Sequence, residues 1–147
     1  MELQRKQDLS IYYWLVSTVP AIVNVSDGFP PDELELPTVS ITSLDITGTP
    51  FELGGYELDK QFWRVDVFAK NIAQRDELAY IIYKAMECGI PVYNYDEGFP
   101  PSVSPTRIGT LIVSKRVLKP IHVFQDLVKK LYWRSAITLF TYYETIS

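Results

Sequence analysis

The chain has 147 residues, 47% of them hydrophobic and 22% charged, enough for one domain that buries roughly 70% of its extended surface. A formal charge of −4 argues against a groove built to grip nucleic-acid phosphates. Cys88 is the only cysteine and His122 the only histidine, which excludes an internal disulfide and any zinc site made from several thiolates.

The N-terminus begins polar, and the apolar run from Ile11 to Val16 is too short to span a membrane. No signal-peptide pattern is visible, so the expectation is a chain made and kept in a reducing, cytoplasmic setting without a membrane partner. Ten Tyr, seven Phe and three Trp make the aromatic share 14%, as in a Tyr-rich sheet or in a chain with aromatic subunit contacts.

In chain order, the first predicted element is a helix from about Asp8 to Val19. Leu9, Tyr12, Tyr13 and Val16 form its apolar stripe, Asp8 its N-cap and Pro20 its stop. A short strand-like run, Ala21 to Val25, leads into a loop marked by Gly28, Pro30 and Pro31. From Leu36 the pattern is strand-like, with breaks predicted at Gly48-Thr49-Pro50 and at Gly54-Gly55. The strongest strand is Gln61 to Ala69: Trp63, Val65, Val67 and Ala69 alternate with Arg64 and Asp66, and Phe62 and Phe68 on the polar side predict that this side is partly covered too.

Asn71-Ile72-Ala73-Gln74 is a capping-box variant that opens a central helix, about 74–87, with Leu78, Ile81, Ile82 and Ala85 as its buried stripe. Gly89 suits its C-terminal cap and Pro91 ends it. Strands are predicted from Pro91 to Tyr95, Ile108 to Leu118 and Trp133 to Glu144. Ile121 to Tyr132 reads as a further helix, though ambiguously. The fold class expected from this order is α+β: one domain over 1–147 with a mixed, mainly antiparallel sheet flanked by an N-terminal helix and the central helix.

Known catalytic patterns are missing. His122 sits between Ile121 and Val123, and Cys88 lies in Cys-Gly-Ile-Pro, neither with a base or orienting group beside it in sequence. There is no phosphate-binding loop, nucleophile elbow or His-Glu-x-x-His motif. Acid pairs Asp32-Glu33 and Asp96-Glu97 lack the spacing of a calcium loop. The expectation is therefore no catalytic residue, no metal and no cofactor. Gly-Phe-Pro-Pro occurs twice, at 28–31 and 98–101, each time directly after an acidic residue. Stiff loops with an aromatic tip suit docking, so Phe29 and Phe99 are the candidate interface residues.

The run Trp63-Arg64-Val65-Asp66-Val67-Phe68-Ala69-Lys70-Asn71, with Gln74-Arg75-Asp76-Glu77-Leu78-Ala79 after it, resembles the tail-terminator and tail-completion proteins of long-tailed bacteriophages. Those small α+β chains place a Val-x-Val-x-Ala strand directly before a helix carrying an Arg and a Leu-Ala pair. The element order is similar, and Tyr132 to Leu139 resembles their closing strand. The resemblance covers roughly Leu36 to Thr145. It implies a non-enzymatic virion protein, made in the host cytoplasm, that forms a homo-oligomeric, commonly hexameric ring at the head-proximal end of the tail. Its implied partners are the tail tube protein and a head–tail connector or neck protein, and DNA would pass through the lumen without specific binding. Neither the aromatic excess nor the paired Gly-Phe-Pro-Pro loops belong to the family pattern. The alternatives are another head–tail connector, an unrelated cytosolic oligomeric interaction module, or an enzyme with a site made of Asp, Glu, Tyr and Arg. Stopper-type connectors tend to be small β-barrels and adaptor-type connectors mostly helical, so the mixed pattern favours the terminator.

Overall fold

The alternating run around Trp63 becomes the middle of the molecule. The computed structural model describes residues 2–28, 35–51, 56–121 and 132–145, and for 45–51 and 56–60 the backbone alone. The elements are α1 (Leu3–Thr18), β1 (Asn24–Asp27), β2 (Thr38–Phe51), β3 (Tyr56–Ala69), α2 (Ile72–Ala85), β4 (Ile90–Tyr93), β5 (Arg107–Ile121) and β6 (Trp133–Thr145), with one 3-10 turn, Met86–Cys88, extending α2. A six-stranded sheet in the order β1-β2-β3-β6-β5-β4 has one parallel pair, β1 with β2, and is otherwise antiparallel. The fold is α+β, with a mixed, mainly antiparallel sheet and the two expected helices.

Register follows from burial. Val39, Ile41, Val65, Val67, Trp63, Ile137 and Leu139 are all buried, and the pairings Val39 with Val67, Ile41 with Val65, Val65 with Ile137 and Trp63 with Leu139 put them on one face. A slip of one residue would turn that whole set outward, so the hydrophobic pattern fixes the pairing. On the opposite face Phe68 and Asp66 are also buried, as Phe62 and Phe68 in the sequence predict. β2 runs on through Gly48-Thr49-Pro50, where a break is expected from the sequence. Among the described residues β1 pairs with β2 only as far as Ile41, so there that half of β2 has no outer neighbour, and a residue without an N–H is tolerated.

α2 begins as its sequence requires. Asn71 Oδ1 accepts from the Gln74 amide at 2.8 Å, and Gln74 Oε1 accepts in return from the Lys70 amide at 2.8 Å. Two amides that the first turn cannot pair are thereby satisfied. Gly89, at φ 75°, closes the 3-10 turn by donating to Met86 O. The buried side of α2 is Leu78, Ala79, Ile82 and Met86, while Ile81 and Ala85 are only half-buried, so the face is rotated from the expected stripe toward Ala79.

α1 differs more. It starts five residues before Asp8, and its buried positions are Gln7, Leu9, Ser10, Ile11 and Leu15, whereas Tyr13 and Val16 are exposed. Asp8 is no cap: within the helix, its Oδ1 accepts a 2.6 Å bond from the buried Trp63 indole N–H. The polar partners of this helix explain the rotation. Ser10 Oγ accepts from the Tyr93 amide of β4 at 3.0 Å, and Arg5 pairs with Asp27 of β1 at 2.8 Å. Both outermost strands are thus tied to one helix, which also donates from Gln4 to Ser43 of β2 at 3.1 Å. The predicted segment Ile121 to Tyr132 falls mostly outside the described residues, as do His122, Gly54-Gly55 and Asp32-Glu33.

Asp8 links this packing to pH. Burial raises its pKa, opposed by the indole hydrogen bond and then by Arg5. A raised folded-state value means that the native form binds the proton more tightly than the unfolded one. The contribution of Asp8 to stability is therefore fullest below the ordinary aspartate range and declines as pH rises through the raised value. Asp8→Asn keeps an acceptor for the indole and cannot ionise, so it is expected to match or exceed the wild type near pH 7, with no advantage in acid. Asp8→Ala strands a buried N–H and is expected to cost about 1–3 kcal/mol, measured by urea unfolding at both pH values.

Candidate assembly surface

Phe99 is the sequence-selected residue whose surroundings can be described. It follows β4 in a loop shaped by Asn94, whose side chain accepts from the Asp96 amide at 3.0 Å, and by Gly98, whose φ of 107° favours glycine. The Phe99–Pro100 peptide bond is cis. The ring meets Tyr95 edge-on at 5.1 Å and Tyr12 of α1 at 5.7 Å, and Tyr95 itself is 1% exposed. Burial raises the Tyr95 pKa. Lys6 reaches Asp96 at 3.1 Å and closes the corner. The half-buried Phe99 thus rests on its own subunit, with part of its ring facing outward. Phe29 lies outside the described residues, so the relation of the two Gly-Phe-Pro-Pro loops is not part of this geometry.

Two charged centres escape sequence reasoning. On the sheet face away from the helices, Asp66 is fully buried; its Oδ1 accepts from Arg134 at 2.7 and 3.0 Å, and its Oδ2 accepts from Arg64 at 2.9 Å. The Arg134 guanidinium also lies 5.3 Å from the Phe68 ring centre. Because Arg134 comes from β6, any slip of β3 against β6 would part this buried carboxylate from its partner, so the centre helps fix the register of the two strands. The alternation of β3 puts Arg64 and Asp66 on one face, but nothing in the sequence pairs Asp66 with a residue 68 positions on.

The second centre sits where α2 ends over β5. Arg116 lies over the Tyr83 ring at 4.1 Å, donates to Tyr83 O at 2.7 Å and pairs with Glu87 at 3.0 Å. Lys84 holds Glu87 from the other side at 2.8 Å; hydrogen bonds from Lys84 and then Arg116 lower the Glu87 pKa. The groove between these elements is about 460 Å³, lined by Tyr83, Met86, Glu87, Val113, Ser114, Lys115 and Arg116. Its one carboxylate, Glu87, is doubly paired. Cys88, just beyond, is exposed. Among the described residues no three His, Cys, Asp or Glu side chains are grouped to hold a metal, and no helix is long and apolar enough to cross a membrane.

What the surface does offer is contact area. Tyr13 and Val16 on α1, Ile72 and Tyr80 on α2, and Val117 on β5 are all more than 40% exposed. Scattered apolar residues are ordinary on a monomer, but here they recur on both helices and on the rim of the sheet.

No protein-family model matches the chain, and no curated protein matches it in sequence. Among solved structures it is similar to a chain of the virion of a native gene transfer agent particle, at 15% identity and a TM-score of 0.48, over 95% of this chain and 90% of that one. Likeness of that degree carries no functional argument.

Because Phe99 wedges between Tyr12 and Tyr95, Phe99→Ser is expected to lower the stability of the monomeric chain by about 1–3 kcal/mol. Thermal unfolding at a concentration where the chain is monomeric measures this, and an unchanged melting temperature would contradict the packing described.

Proposed function

We propose that the chain is a non-enzymatic virion protein: a tail terminator that forms a hexameric ring at the head-proximal end of a phage tail, caps the tail tube and joins it to the neck. The observation that carries this reading is the β3–α2 unit. The residues that resemble the terminator family, Trp63 to Asn71 and Gln74 to Ala79, make up the central strand, its Asn cap and the helix packed on the sheet. The resemblance thus falls on the centre of the fold rather than on a peripheral loop.

Other features support the same reading. An N-terminal helix, a hairpin whose second strand runs into a helix, and further strands ending near the C-terminus occur in the order the resemblance implies, although β1 and β2 pair in parallel. The charge of −4 suits a lumen through which DNA slides without being held. Contact with the tube protein or the neck would use the outward part of Phe99 and, from the first loop, Phe29. Proline stiffening of both loops lowers the entropy lost on docking.

Native mass spectrometry of the purified chain tests this directly. A dominant closed oligomer, with six copies expected, supports the ring; a monomer over the whole accessible concentration range contradicts it.

A further inference from the structure

β4 is short and leaves most of β5 without an outer neighbour. Its pairing ends where Ile90 meets Leu111, and among the described residues no strand lies on that side of Ile112 to Ile121. This part of β5 is long enough to take an added strand of ordinary length. A strand edge is a row of N–H and C=O groups with which another chain can pair, and natural sheets normally shorten, cover or charge it.

The charge on this edge has one sign. Ile112 to Ile121 carries Lys115, Arg116 and Lys119 and no acid. Arg116 is committed to Glu87 and Tyr83, whereas Lys115 and Lys119 are exposed and have no carboxylate partner among the described residues. The two faces of the edge differ. Lys115, Val117 and Lys119 pair with Phe140, Thr138 and Ala136, on the face that holds Asp66. Arg116 and Leu118 pair with the buried Leu139 and Ile137 on the helix face, where the groove of about 460 Å³, with Met86 and Val113 in its lining, opens beside the edge. We propose that this edge takes up an extended segment of a partner protein as an additional strand. Acidic side chains at alternate positions of that segment lie beside Lys115 and Lys119, and one of the apolar side chains between them enters the groove. Such docking is independent of ring closure, since a single subunit carries the whole edge.

Charge and backbone together select this occupant. Lysines on an edge ordinarily turn other strands away, because apolar or basic side chains meet them. An acidic strand reverses the sign of that contact, so the same lysines discriminate in its favour. A second copy brought edge to edge would set Lys115 and Lys119 against lysines of the same edge, and like charges across a strand pair are destabilising. Phosphates would satisfy the lysines, but a nucleic acid has no peptide ladder for the open edge of β5. In strand addition the main-chain bonds supply affinity and the alternating side chains supply specificity. The groove on one face and the two lysines on the other provide for both sets of side chains.

Peptide binding tests this. The probe is a fluorescent peptide of alternating glutamate and valine, about ten residues long, with a block peptide of the same composition and a lysine–valine peptide as controls. The alternating acidic peptide is expected to bind the wild-type chain at least about tenfold more tightly than either control, and to slow amide hydrogen exchange within Ile112 to Ile121. Lys115→Glu with Lys119→Glu is expected to turn the preference toward the lysine–valine peptide, with the melting temperature unchanged. Lys115→Gln with Lys119→Gln, which adds no repulsion, is expected to abolish the preference for the acidic peptide. Absence of binding, equal binding of the block peptide, an unprotected edge, or a preference that survives both substitutions overturns the assignment. A short DNA duplex that displaces the peptide, and itself binds more weakly to the same variants, assigns the lysines to phosphate and overturns it too. None of these outcomes bears on the ring, which native mass spectrometry reads separately.

Discussion

The alternation of β3 is the constraint from which the rest follows. Trp63, Val65 and Val67 bury one face of the central strand, so both helices must lie on that side and every neighbouring strand must match its register. Burying Trp63 also imposes a polar demand, since its indole N–H must find an acceptor away from water. Asp8 supplies it at 2.6 Å, which sets the rotation of α1 and brings Ser10 and Arg5 to the two outermost strands. A single helix thereby holds a wide sheet by both margins.

The opposite face follows a different rule. Asp66 is held there by two arginines, one from its own strand and one from β6. Such a centre contributes less to stability than apolar packing of the same volume would, but breaking it leaves a buried charge unpaired. It therefore penalises any slip of β3 against β6 more sharply than hydrophobic contacts alone would. Register is specified twice, once on each face.

Much of this was legible in the sequence where local chemistry and tertiary packing agree. Alternation identified β3, and the Asn71–Gln74 pair and Gly89 marked the ends of the central helix, because caps are local devices. Where the two disagree, reading from periodicity failed. Leu9, Tyr12, Tyr13 and Val16 form a plausible stripe, yet of these α1 buries only Leu9, together with Gln7, Ser10, Ile11 and Leu15, since its orientation is set by partners on β1, β3 and β4. Gly48-Thr49-Pro50 reads as a break but lies in a strand that has no outer neighbour there among the described residues, which tolerates such residues. The Asp66–Arg134 and Arg116–Tyr83 contacts join positions far apart in sequence, and no single-sequence signal announces them.

For function, the physical content of the fold is a sheet whose centre is rigidly specified and whose helices leave apolar side chains such as Tyr13, Val16, Ile72 and Tyr80 exposed for contact. A subunit of this kind suits joining to copies of itself, and closure of the series distinguishes a terminator from a filament-forming chain. Electron microscopy of the purified chain is the most direct test. Discrete closed rings with an axial hole wide enough for duplex DNA are expected. Open filaments or isolated single chains would contradict the ring reading.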